Sequence, residues 1–273
     1  MLIDSHCHLD ASEFDSDRDH VVSRALAQGV GAIIVPAVAR YNFPLVAELA
    51  AQHPSVHYAL GIHPLYIAKA TSDDLVHLEH AVDHALDDPK FVGVGEIGLD
   101  FFVPALCTEA MRRKQIEFYS AQLAIAAARS LPVIVHVRRS VDLITKFIRR
   151  HPDLTGIAHA FNGSWQQAQI LVDRGFKLGF GGAMTYTRAK QIRRLATDLP
   201  AESIVLETDA PDIPPAWLGP QATPPTNSNR NEPKELLAIA QCLAELRGEA
   251  VATVIKQTTL NVQSILPRLQ LTN

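Results

Sequence analysis

The 273 residues, 47% hydrophobic and 20% charged, supply a large core and exclude a disordered chain. A net charge of −4 excludes a basic coat for duplex nucleic acid, so any nucleic-acid contact must come from local positive patches. Three cysteines without a CxxC pair, no basic-then-apolar leader and no bilayer-length apolar run point to a cytoplasmic protein with free thiols and no membrane span.

In chain order, Leu2 and Ile3 open an extended apolar run that ends in His6 and His8. Residues 17–28 carry Val21, Val22, Ala25 and Leu26 at helical spacing and stop at Gly29. The β-branched run 30–38 predicts a strand, 41–52 a helix, and 55–64 a strand delivering His63. A helix over 72–86 leads to a strand over 91–100 that delivers Glu96. The long helix 109–129 precedes a strand over 131–137 with His136, and the helix 141–150 precedes a strand over 155–161 with His159. The helix 165–174, the strand 175–182, the helix 190–198 and the strand 203–211, which delivers Glu207 and Asp209, complete the alternation.

Eight apolar, strand-length runs alternate with helices, and nearly all lack polar alternation. Such strands are buried on both faces, which predicts a (β/α)8 TIM barrel in one domain over 1–273. A doubly wound open sheet competes, but its GxGxxG fingerprint is missing; GFGG (179–182) lacks the third glycine and reads as a tight turn at the barrel mouth. Residues 210–233, rich in proline and asparagine and containing Trp217, read as a long functional loop, followed by closing helices over 232–247 and 249–266.

Catalytic groups in such barrels sit at the C-terminal ends of strands. His6 and His8 share one face of an extended strand, with Cα atoms about 6.6 Å apart, and can tilt onto one metal ion. Cys7 between them turns outward as a small buried hydrophobe. His63, Glu96, His136, His159 and Asp209 fall at other strand ends. Four histidines with two carboxylates exceed one tetrahedral ion and suit a pair. The expected arrangement has His6 and His8 on the first ion, His136 and His159 on the second, and Glu96 bridging. Asp209 binds the first ion and serves as proton acceptor. His63 is expected as a donor to a substrate oxygen, and Glu207 as a deeper brace for a ligand. The N/O donors leave zinc, manganese, cobalt, nickel and magnesium open, with imidazoles favouring transition metals. His77, His80 and His84 share a helical face, which reads as a solvated surface.

The segments LIDSHCHLD, GIHP (61–64), VGEIGLD (94–100), HVRRS (136–140), HAFNGS (159–164), LETDAP (206–211) and NEP (231–233) resemble, in order and spacing, the TatD family of metal-dependent deoxyribonucleases. The resemblance implies an amidohydrolase-like barrel with a divalent metal site that acts on DNA, often from 3′ ends. It places ligands at His6, His8, Glu96, His136, His159 and Asp209, with the GxHP histidine at His63. This chain departs from many family members at Ser140, Ala160 and Asn162.

Arg138 and Arg139 beside His136 are expected to bind substrate phosphates, with Arg188 and Lys190 as further candidates. One or two of Phe101, Phe102, Phe161, Trp165 and Trp217 would stack on unpaired bases. The leading expectation is a two-metal 3′-5′ exonuclease on single-stranded or frayed DNA ends, with oligomeric state open. Two alternatives stand beside it: hydrolysis of an amide, lactone or ester, including an acyl ester on a tRNA end, and a metal-binding partner protein with weak catalysis.

Overall fold

The computed structural model describes residues 1–219 and 230–271, so residues 220–229 of the expected loop at 210–233 lie outside the described residues. Eight strands form one parallel sheet in sequential order: β1 (Leu2–Asp4), β2 (Val30–Pro36), β3 (Val56–Leu60), β4 (Phe91–Asp100), β5 (Val133–Arg138), β6 (Gly156–Ala158), β7 (Lys177–Phe180) and β8 (Ile204–Leu206). The helices between them are α1 (Arg18–Ala27), α2 (Phe43–Gln52), α3 (Ser72–Ala85), α4 (Glu109–Ala128), α5 (Val141–Ile148), α6 (Trp165–Asp173) and α7 (Lys190–Asp198). After β8 come α8 (Leu236–Arg247) and α9 (Val251–Ile265). Gly29 ends α1 with φ +81°, a left-handed turn that glycine takes without strain.

The barrel closes through backbone hydrogen bonds just beyond β1 and β8. Ser5 N–H donates to Leu206 O at 3.0 Å, Asp209 N–H to His6 O at 2.9 Å, and His8 N–H to Ala210 O at 2.8 Å. The buried Asp4 carboxylate reinforces the seam, accepting from Thr208 N–H at 2.9 Å and Thr208 Oγ1 at 2.6 Å.

Period-two alternation divides each apolar run between two cores. Ile3, Ala32, Ile34, Ala59, Val92, Ile134, Ile157 and Val205 fill the barrel interior, sealed below by Val262, Ile265, Leu266 and Leu269 of α9 and its extension. Leu2, Ile33, Val35, Val56, Val133 and Val135 face outward into the shell beneath the helices. The apolar plug occupies the lower barrel, which leaves the upper end for polar groups.

Candidate metal centre

The expected site residues converge at the C-terminal end of the barrel. His6 and His8 lie beyond β1, on backbone that remains extended because it pairs across the seam. Cys7 points the other way into the outer core, fully buried with Sγ 3.5 Å from Ala210 O. His63 follows β3, His136 lies in β5, and His159 comes directly after β6. Asp209 lies past β8 with φ +52°, a left-handed conformation that surrounding hydrogen bonds must hold. Glu96 departs from expectation. It lies within β4 rather than at its end, where the pairing steps from Val94↔Val133 to Ile97↔Val135. Two residues there oppose one on β5, and such a bulge re-aims a side chain. The Glu96 carboxylate thereby enters the barrel axis, almost fully buried.

The two Glu96 oxygens face different histidines. Oε2 is 3.2 Å from His6 Nε2 and 3.4 Å from His8 Nε2. Oε1 is 2.7 Å from His159 Nε2, 2.9 Å from His136 Nδ1 and 3.1 Å from His63 Nε2. On the first side Asp209 Oδ1 completes the set, 3.5 Å from His6 Nε2 and 3.8 Å from His8 Nε2. The His6 and His159 rings stack with centroids 3.8 Å apart, which packs the two sides together.

This donor set fits divalent cations. His6, His8 and Asp209 bring ligand atoms within 4.8 Å of one another, as do His6, Glu96 and His159, and His63, Glu96 and His136. Glu96 Oε2 is buried without a hydrogen-bond partner, an arrangement that is costly unless a cation sits nearby. Burial raises a carboxyl's proton affinity, yet His63, His159 and His6 around Glu96 outweigh it and hold the group well below the usual range. His159 answers in the opposite direction. Burial opposes its charge, but Glu96 lifts it to about 9. Burial drives His6 well below the ordinary histidine range, and burial also raises Asp209.

Four supporting residues carried no strong signal of their own in the sequence or only a partial one. Asp100, at the end of β4, has Oδ2 3.1 Å from His136 Nε2, so the ring turns Nδ1 to the centre. Its Oδ1 accepts from the N–H groups of Phe102 and Val103 at 2.8 and 3.0 Å, which fixes the carboxylate. Asp10 lies 3.8 Å from His8 Nδ1 and accepts from Asn42 Nδ2 at 2.8 Å. Asn231 of the NEP segment donates to Thr208 O at 2.8 Å and Asp212 O at 2.6 Å, straddling Asp209. Glu207, expected as a brace, accepts from Ala160 N–H and lies 3.8 Å from His159 Nδ1. GFGG is not the expected tight turn: Gly179 and Phe180 end β7 and Gly182 opens a 3-10 helix, and a Cβ at Gly179 would collide with the Glu207 carboxylate, so the glycine permits a close approach.

Comparison with known proteins agrees with the geometry. A family model described as TatD related DNase matches residues 3–267. The chain belongs to the TatD family. A curated relative, the uncharacterized metal-dependent hydrolase YjjV of Escherichia coli K12, is 40% identical over 262 residues, covering 95% of each chain. The 3′-5′ ssDNA/RNA exonuclease TatD of the same organism is 31% identical over 269 residues, 97% of this chain and 98% of its own. The crystal structure of Escherichia coli YjjV superposes with a TM-score of 0.88 at 35% identity, over 97% and 98% of the two chains. This TatD-family chain is therefore a metal-dependent hydrolase acting on ester bonds.

The TatD-family centre opens into a cleft of about 1500 Å³. Arg138, Arg139, Phe101 and Phe102 line it, as expected, and so do Arg112, Tyr41 and Tyr66, which the sequence did not single out. Other expected contacts lie elsewhere. Phe161 is buried in the core, and Trp217 Nε1 donates to Glu235 Oε2 at 2.7 Å. Arg188 covers Tyr186 with 5.3 Å to the ring centre, and Arg188, Lys190 and Trp165 are not cleft-lining. Arg188 lies in the turn before α7, and Trp165 and Lys190 are the first residues of α6 and α7, whose Gln167 and Ile192 reach the cleft instead. His77, His80 and His84 are exposed on α3, as read. No described helix is long and apolar enough to cross a membrane.

Proposed function

We propose that this hydrolase cleaves phosphodiester bonds at single-stranded or frayed DNA ends, in the 3′-5′ direction, with two divalent ions. One would be held by His6, His8 and Asp209, the other by His136 and His159, with Glu96 shared. The observation that carries this reading is the division of Glu96, whose Oε2 meets the first histidine pair and Oε1 the second. Bound divalent ions supply the charge that brings a water's pKa from 15.7 toward about 7 and polarises the ester. Imidazole-rich ligation favours zinc, manganese, cobalt or nickel over magnesium.

The chain's own groups then divide the work. As the water oxygen bonds to phosphorus and the bond to the departing sugar oxygen breaks, Asp209 accepts the water's proton. His63 supplies a donor. Leu65 N–H donates to His63 Nδ1 at 3.1 Å, so the neutral ring carries its proton on Nε2, which faces the centre. A nitrogen bearing hydrogen donates, which favours this role over the ligand role that the His63, Glu96 and His136 group also offers. This supports His63 in contact with a substrate oxygen. Arg138 and Arg139 are the phosphate-binding residues, exposed at the cleft mouth.

Support for nucleic acid comes from the exonuclease name of the TatD relative and from the three arginines in the cleft. Those arginines favour an anionic diester over a neutral lactone, amide or acyl ester. The free thiols Cys7, Cys107 and Cys242 support a reducing, cytoplasmic location. The test is an assay of metal-reconstituted protein on labelled short single strands beside aryl esters and lactones, with metal content measured. Release of nucleotides from the 3′ end is expected; hydrolysis confined to carbonyl esters would overturn the reading. Glu96→Gln is expected to lose metal and activity together, and full retention of both would remove the bridge.

A further inference from the structure

The cleft is electrically lopsided. Among the described residues, the Lys and Arg side chains lining it are Arg112, which follows β4, Arg138, which ends β5, and Arg139, which follows it. Phe102, 44% exposed, lies beneath two of them, with the guanidinium carbons of Arg138 and Arg139 3.9 and 4.6 Å from the ring centre. Arg112 stands 4.1 Å from the ring centre of Phe101. These stacked guanidiniums are held in place yet keep N–H edges for phosphate oxygens. Two acids stand on this bank: Asp142, whose Oδ1 accepts from Gln167 Nε2 at 2.7 Å, and the buried Asp100, whose Oδ2 lies 3.7 Å from Arg138 Nη1.

The opposite bank, built by the segments after β1 and β8, presents Asp10, Glu13 and Asp212 beside His8 and Asp209. Nearby cations face elsewhere. Arg18 donates to Leu9 O, Ala11 O and Asp15, and Arg230 to Glu13 O, Asp17 and Glu232. The Asp10 carboxylate is held at the cleft edge, with Oδ1 3.8 Å from His8 Nδ1 and Oδ2 accepting from Asn42 Nδ2 at 2.8 Å.

Resting on the phosphodiesterase reading, we infer that the strand lies on the arginine bank alone, while the acidic bank receives a terminal residue that must end in a hydroxyl. A terminal phosphate there would carry about two negative charges against Asp10, Glu13 and Asp212. The same asymmetry keeps an anionic strand from crossing both banks, so cleavage occurs at ends. Selection of a hydroxyl terminus is thus built into the distribution of charge and needs no contact with a base.

Four versions of one short single strand test this, carrying hydroxyl or phosphate at the 3′ and 5′ ends, with the metal-loaded protein. At the end from which nucleotides are released, phosphate is expected to lower kcat/KM at least about tenfold, as like-charge juxtaposition does. At the other end it is expected to change kcat/KM less than about twofold, because that end lies toward the arginines. The exposed pair Glu13→Gln with Asp212→Asn is expected to shrink the terminal-phosphate penalty by at least about threefold. Arg138→Ala is expected to raise KM for a trinucleotide and leave the penalty in place. Equal cleavage of all four strands would overturn this inference and leave the phosphodiesterase reading intact, as would a penalty unmoved in the double variant. Failure to cleave any of them would overturn both.

Discussion

Asp209 donates its backbone N–H to His6 O at 2.9 Å, and its side-chain Oδ1 stands 3.5 Å from His6 Nε2. One contact closes the barrel and the other brings a carboxylate against the His6 imidazole in the proposed metal centre. Closure and ligation are therefore coupled, and a change to the Asp209 charge can be separated from a change to its backbone.

Asp209→Asn keeps the backbone bond and removes the carboxylate. The protein is expected to remain folded, with activity down at least about 10²-fold, the scale of lost general-base catalysis. Glu207→Gln, whose side chain stands behind His159, is expected instead to weaken metal affinity about 10–100-fold. Near-normal turnover of Asp209→Asn at saturating metal would assign the proton to another base.

Asp100 holds the far nitrogen of His136. Asp100→Asn preserves the shape but loses the charge that makes the imidazole a stronger donor, so metal affinity is expected to fall about 10–100-fold. Excess metal should restore turnover. A defect that metal does not rescue would place Asp100 in the chemistry itself.

His63→Ala is expected to reduce turnover by about 10²–10³, as removal of one oxyanion donor does, with metal stoichiometry unchanged. Metal analysis of the purified variant separates the two roles: loss of an ion would make His63 a ligand.

Ion uptake is expected to release protons near neutral pH. Although burial disfavours its charge, His159 is lifted to about 9 by Glu96, so the ion-free centre holds a proton there that a cation displaces. Affinity should accordingly fall as pH drops. Calorimetric titration in two buffers of different ionisation enthalpy reads the proton count directly, and a value of zero would contradict this coupling.

Below the barrel, His57 carries the clearest acid sensitivity. Burial, aided by Lys90, pulls it from 6.5 down to about 4, while its Nε2 meets Gln270 O at 3.0 Å. Between those values the unfolded chain takes up the proton and the folded chain does not, so stability is present above about 6.5 and falls as pH drops toward 4. The full loss is on the order of 3 kcal/mol. His57→Gln keeps a donor for Gln270 and does not titrate; urea midpoints of ion-free protein across this range should decline less steeply in the variant. Parallel decline in both proteins would move the acid sensitivity to other groups.

The barrel was legible because burial on a strand is a local, period-two property. The runs 30–38 and 91–100 announce strands buried on both faces, and β2 and β4 occupy them. The histidine cluster was legible for a related reason, since His6, His63, His136 and His159 interrupt or end apolar runs where a folded chain must give them partners. Strand limits were less so: β1, β6 and β8 are three residues each, because the backbone carrying the clustered histidines and carboxylates leaves the ladder to pair across the seam or turn into the site. Glu96 as a residue inside a bulge, Asp100 as the partner of His136 and Asn231 as the brace beneath Asp209 required the tertiary structure. So did the two banks of the cleft. Each depends on which atoms of distant segments meet when the eighth strand returns to the first, and chain order carries no measure of that distance. The sequence by itself determined a parallel eight-stranded barrel with a histidine–carboxylate mouth; only its closure decided which oxygen of Glu96 faces which imidazoles, because that pairing is set through space.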